Sequence, residues 1–130
     1  MTEKTNPGQQ LILFETFELI RGFDEYEATL KAWCRRVEQD GVPGIRLIQS
    51  YVARERNEAY IFVIFSSADA YKEHLDFNSQ IDEFRPFFDS IKIKDIKAFG
   101  CINEEQSARL KNHDFPFDLV SEHVAGMVRN

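Results

Sequence analysis

The stretch LILFETFELI, residues 11 to 20, is apolar at odd and even positions alike. Successive side chains of a strand point to opposite faces of a sheet, so Leu13, Phe17 and Leu19 fall on one face and Ile12, Phe14 and Ile20 on the other. Three more segments read as strands: IRLIQSYVAR (45 to 54), AYIFVIF (59 to 65) and IKIKDIKAFG (91 to 100). A sheet built from such strands has to be covered on both faces, because large exposed apolar patches are rare on monomers. Glu15 stands out here, since a carboxylate amid LILFETFEL must face a polar cavity, pair with a cation or lie at an edge.

Between these strands the apolar spacing changes to three and four residues. Tyr26, Leu30, Trp33, Cys34 and Val37 line one face of a helix ending near Gln39, with Asp24 and Glu27 at capping-box spacing and DGVPG (40 to 44) as its stop. Ser66 or Ser67 can cap a second helix carrying Ala70, Tyr71, His74 and Leu75. Asn78-Ser79 offers a second start, after which Ile81, Phe84, Phe87 and Phe88 continue the pattern and Pro86 predicts a kink. Trp33 and the three phenylalanines read as core by that spacing.

The predicted order is β-α-β-β-α-β, a ferredoxin-like α+β fold with an antiparallel sheet and both helices on one face. The other face would be left bare. Pairing two sheets face to face covers it, so the expectation is a homodimer with a barrel-like core.

A chain of 130 residues that is 43% hydrophobic and 13% aromatic supplies one core. The expected division is a flexible tail over residues 1 to 10, the ferredoxin-like domain over 11 to 100 and a partly helical extension over 101 to 130. A formal charge of −6 without a Lys/Arg cluster argues against nucleic acid or an anionic membrane as partner. The polar start MTEKTNPGQQ and the lack of a long apolar run suggest a cytoplasmic protein. Cys34 and Cys101 have no CxxC pattern and no metal-ligand spacing around them, so both read as structural thiols and no metal is expected. In the extension, a short helix is expected near Glu104 to Lys111. Phe115, Phe117 and Leu119 could fill a groove, and an amphipathic turn is expected from Ser121 to Val128. His113 and His123 read as solvent-facing or capping residues.

Pro43-Gly44 before the second strand, and a strand that ends in the aromatic Phe65 and runs on through a polar turn to Ala70 and His74, resemble the antibiotic-biosynthesis-monooxygenase-like family of dimeric α+β barrels. The resemblance spans residues 11 to 100. It implies a dimer and a cleft between helices and sheet, with chemistry that varies across the family. Haem-degrading members resemble one another in an Asn, a Trp and an iron-ligating His whose places fall near Glu15, His74 and Phe84, and phenylalanine cannot ligate iron, so haem is disfavoured.

The family's cofactor-free oxygenases deprotonate a phenol or enol and let the resulting anion pass an electron to O₂. By that resemblance His74 or Glu15 would be the base, with Trp33, Tyr51, Tyr60, Phe65 and Phe84 as substrate walls and Arg54 as an anion partner. No cofactor is expected. The usual strand-end Trp is Phe65 here, which removes an indole N–H donor. Three functions fit these residues: a cofactor-independent monooxygenase acting on a small aromatic, quinol or polyketide-like compound, a lyase or isomerase using proton transfer alone, and a non-enzymatic ligand-binding or interaction dimer. His74 also reads as a half-buried structural histidine bonding a carbonyl.

Overall fold

The computed structural model describes residues 7–111 and 115–129. Most of the expected N-terminal tail, and His113, lie outside that range; Pro7–Gln9 forms a 3-10 turn. The elements are β1 (Leu11–Leu19), α1 (Phe23–Asp40), β2 (Ile45–Ala53), β3 (Glu58–Phe65), α2 (Ala68–Asn78), α3 (Phe84–Asp89), β4 (Ile91–Phe99), α4 (Glu104–Lys111) and β5 (Phe117–Val120). Their sheet order is β2-β3-β1-β4-β5. The first four strands are antiparallel, which is the ferredoxin-like arrangement. β5 then adds a fifth strand parallel to β4, making the sheet mixed rather than purely antiparallel.

Register decides which face each residue takes. Leu11, Leu13, Phe17 and Leu19 are buried, as are Ala59, Ile61, Val63 and Phe65 of β3, with which β1 pairs. Helical Tyr26, Trp33, Val37, Ala70, Tyr71 and Phe87 join them in one core. The alternation in β4 is interrupted: Thr16 pairs with Asp95 and Phe17 with Ile93, leaving one extra residue on β4. This bulge absorbs the Lys94-Asp95 step in IKIKDIKAF, so that Ile91 and, beyond it, Ile96 and Ala98 are all buried.

The other face carries Phe14, Tyr51, Tyr60 and Phe62. Their rings form a cluster with Phe14 and Phe62 4.8 Å apart and Tyr51 and Phe62 6.2 Å apart. Among the described residues no element covers them, and Tyr51 is 62% and Phe62 38% exposed.

Several local expectations are revised. Asp24 and Glu27 do not form a capping box: α1 begins two residues earlier, with Gly22 in place of Asp24 as its N-cap and no side-chain cap bond. Gly22 has φ 86° and ψ 167°, a conformation open to glycine and not to side-chain-bearing residues. Ser67, of the two serines, caps α2 by accepting the Ala70 N–H at 3.2 Å. Pro86 does not kink a continuous helix. The chain breaks after Asn78 and restarts at Phe84, placing Pro86 in the first turn of α3, where its missing N–H removes no helical bond.

Gly44 has a clear steric role. A Cβ there would collide with the Ala70 Cβ, so Pro43-Gly44 lets the turn before β2 seat against α2. Phe117 and Leu119 belong to a paired strand rather than a loose plug, and residues 121–129 are exposed with no helix. His123 is exposed, as expected. Cys34 is half-buried, with burial raising its pKa, but Cys101 is exposed and has no core role. Among the described residues no helix is long and apolar enough to cross a membrane.

Candidate active site

A cavity of about 220 Å³ lies between the sheet and the helices. It is larger than the roughly 150 Å³ cavity that admits benzene in an apolar core. β1 contributes Leu13, Glu15 and Phe17, β3 contributes Ile61, Val63 and Phe65, and α1 contributes Trp33. Tyr71, His74 and Asn78 project from α2, at the three- and four-residue spacing that places them on one helical face.

Trp33, Asn78 and His74 form a directional relay. Indole Nε1–H can only donate, and it does so to Asn78 Oδ1 at 2.9 Å. The amide is thereby turned so that its Nδ2–H donates to His74 Nε2 at 3.2 Å. Nε2 is the acceptor, which puts the proton of the neutral ring on Nδ1. That Nδ1 is buried and has no partner among the described residues. The ring is 4% exposed and sits against Trp33 and Phe65, with centroids 5.7 and 5.4 Å away. Burial lowers its pKa from 6.5 to about 4, so the imidazole is neutral at pH 7. Among the described residues no carboxylate offsets that shift. The expected carbonyl partner is replaced by the Asn78 amide.

Glu15 supplies the opposite chemistry. Its carboxylate lines the cavity and makes no hydrogen bond or ion pair among the described residues. Desolvation alone raises its pKa from 4.5 to about 7. Tyr71, 6% exposed, has no hydrogen-bond partner for its hydroxyl among the described residues. Burial pushes its pKa up to about 12, the Glu15 charge adds to the rise and the Arg109 guanidinium opposes it.

The extension completes the wall, with Gln106, Arg109, Leu110 and Phe115 reaching the cavity. α4 is held by a reciprocal cap: Gln106 N–H donates to Asn103 Oδ1 at 2.8 Å, and Asn103 N–H to Gln106 Oε1 at 3.1 Å. Gln106 Nε2 also donates to the Ala68 carbonyl at 2.9 Å, fastening α4 to the start of α2.

Of the residues singled out in the sequence, Glu15, Trp33, Phe65, His74 and Phe84 meet at this cavity. Tyr51, Arg54 and Tyr60 do not. Tyr51 and Tyr60 lie on the other face of the sheet, where Tyr60 donates to Glu58 at 2.6 Å and accepts from Arg56 at 2.8 Å. Arg54 stacks over the Phe23 ring at 3.7 Å. Phe88, expected in the core, is 42% exposed and borders the cavity. Tyr71, Asn78, Gln106 and Arg109 escaped the sequence reading as site residues. The N-x-x-Q spacing of Asn103 and Gln106 was a usable signal for how α4 is anchored. Among the described residues no cluster of three or more His, Cys, Asp or Glu is arranged to hold a metal.

No protein-family model and no curated protein sequence matches the chain. Solved structures do. MupZ from Pseudomonas fluorescens superposes with a TM-score of 0.61 at 16% identity, covering 92% of this chain and 95% of its own. SnoaB, a cofactor-independent oxygenase from Streptomyces nogalater, gives 0.60 at 11% identity over 73% of this chain and 95% of its own. A Caulobacter crescentus protein provisionally assigned as an antibiotic biosynthesis monooxygenase gives 0.58 at 15% identity over 74% and 92%. The MupZ match leaves about a tenth of this chain uncovered, so it takes in most of residues 101–130 as well as the core domain. With its strand order, one-sided helices and this set of structural neighbours, the chain has the α+β fold of the antibiotic-biosynthesis-monooxygenase-like proteins.

Proposed function

We propose that the chain is a cofactor-independent oxygenase that binds a compact aromatic or enolisable compound in the cavity and starts its reaction by removing a proton. The observation that carries this reading is the place of Glu15: a carboxylate on the wall of an apolar cavity, unpaired among the described residues, where desolvation pushes its pKa up to about 7. A general base works best when its pKa lies near the operating pH, since it is then both available and basic enough. His74 acts as the complementary donor. Its Nδ1–H is a neutral hydrogen-bond donor without a partner among the described residues; buried as it stands, it would meet a ligand oxygen on which negative charge develops after a small movement of the ring. The relay from Trp33 through Asn78 fixes the ring in that tautomer.

The substrate anion supplies the electrons. Conversion of an activated CH₂ to C=O consumes one O₂, one atom entering the product and the other leaving as water, so the electron count closes without another reductant. The cavity is large enough for a small ring system and is not filled by Trp33, Phe65 and Phe84, which favours a ligand-binding role over a purely interacting one. SnoaB, described as a cofactor-independent oxygenase, supports the reading by its shared fold. In the same proposal the protein is a homodimer, with the aromatic cluster around Phe14 and Phe62 covered by a second copy.

The test is oxygen uptake across a panel of anthrones, naphthols and cyclic 1,3-diketones. One substrate should consume O₂ stoichiometrically, and Glu15→Gln should slow that reaction by roughly 10²- to 10⁴-fold. Turnover without O₂ uptake would point to proton-transfer chemistry alone. Uptake unchanged in Glu15→Gln would remove Glu15 from the mechanism.

A further inference from the structure

The polar groups at one end of the cavity have more capacity than the protein uses. Tyr71 is more than nine-tenths buried and its hydroxyl has no partner among the described residues; the same is true of His74 Nδ1. Arg109 borders the cavity from α4, is itself exposed, and makes no ion pair among the described residues. Most other arginines near carboxylates are paired: Arg21 with Glu25, Arg36 with Asp40 and Arg85 with Asp89. Arg109 is also not free to drift as a whole, because the Asn103–Gln106 cap and the Gln106–Ala68 bond hold its helix. Phe88 and Phe115 also line the cavity.

We propose that this end of the cavity is an anion-recognition site in which Arg109 holds the carboxylate or equivalent oxyanion of a ligand whose ring occupies the apolar interior, with the Tyr71 hydroxyl as a second donor. The inference rests on the proposed ligand-binding role of the cavity and narrows it to acidic ring compounds. A guanidinium offers paired N–H donors that match a carboxylate, and a phenol O–H inside an apolar wall strengthens the contact by excluding water. The Coulombic influence of Arg109 on Tyr71 is consistent with their shared position. The C-terminal extension would therefore set ligand choice, while β1 and α2 carry the reacting groups.

The matched probes 2-naphthoate and 2-naphthamide test this, because they share a ring and differ in charge. Titration calorimetry with the full chain should show the acid binding about fivefold to tenfold tighter than the amide, as expected for a charged hydrogen bond partly open to water. Arg109→Gln should erase that preference by weakening the acid alone, and Arg109→Lys should restore part of it. Glu15→Gln should keep the preference while losing turnover, so the base and the anion site can fail separately. Equal affinities for the two probes, an equal loss of both in Arg109→Gln, or no binding of either would overturn the proposal.

Discussion

Ile61 and Phe62 are adjacent in the chain and belong to opposite worlds. Ile61 lies under the helices, 1% exposed, and borders the cavity, whereas Phe62 sits on the bare face with 38% of its surface in solvent. The same contrast runs through β1, where Leu13 is buried and Phe14 is half-exposed against Phe62. Both faces are apolar, yet their polar groups differ in kind. On the bare face Tyr60, Glu58, Arg56 and Lys94 satisfy one another in solvent-accessible bonds. On the helix side Glu15, Tyr71 and His74 Nδ1 have no protein partners among the described residues. Mutually paired surface charges need no ligand to complete them. Unpaired groups inside an apolar cavity carry a standing desolvation cost that only a ligand or water can relieve, which is why the proposed ligand site lies in the cavity and the proposed contact between copies on the bare face.

The largest expected effect comes from placing a charge on the closed side. Ile61→Asp should leave no cooperatively folded protein, because an unpaired buried carboxylate costs at least about 4 kcal/mol, a large share of a small domain's stability. A sigmoidal urea transition close to wild type would show that the helix side is far wetter than its burial indicates.

Glu15→Gln sharpens the comparison through pH. The folded-state pKa of Glu15 is raised from 4.5 to about 7, so the folded state keeps a proton that the unfolded state has lost, and wild-type stability falls as pH rises through that window. His74 acts in the opposite direction. Its pKa is lowered from 6.5 to about 4, so the unfolded state binds the extra proton and stability rises with pH between about 4 and 6.5. The two largely cancel between pH 4.5 and 6.5 in the wild type. Glu15→Gln should therefore match wild type in acid, rise with pH until about 6.5, and be more stable by about 3 kcal/mol above pH 7, the free-energy equivalent of that carboxyl shift. Urea unfolding at intervals across this range measures the difference, and a gap that does not change with pH would place the carboxylate in water.

Phe62→Asp should have the smallest effect on the chain itself, under about 1 kcal/mol in a monomer, since its side chain already meets solvent. Its effect on assembly should be complete: sedimentation velocity of the wild type at micromolar concentration should show a dimer, and the variant a 15.2 kDa monomer. A monomeric wild type, or a dimer that survives the substitution, would mean that the bare face is not the contact.

The order of elements was legible because each follows from local spacing: period two in LILFETFELI, three and four from Tyr26 to Val37, and Ser67 at the head of α2. The strand order and its ferredoxin-like pairing follow from that order. Glu15 could be singled out too, since a carboxylate in an apolar strand has few places to go. The tyrosines could not be sorted the same way. Period two separates Tyr60 from Ile61, but with both faces apolar it cannot say which of them the helices cover; Tyr51 and Tyr60 lie on the bare face, and Tyr71 lines the cavity in their place. The bulge at Lys94 and the pairing of Phe117–Val120 beside β4 are likewise set by neighbours distant in the chain. Sequence by itself determined the elements from β1 to α4 and the need to cover two faces, because those depend on each segment's own periodicity. Only the tertiary structure decided that Glu15, Tyr71, His74 and Arg109 share one cavity, because that meeting depends on strand register and on the Gln106 bond to Ala68, contacts between segments that no local pattern encodes.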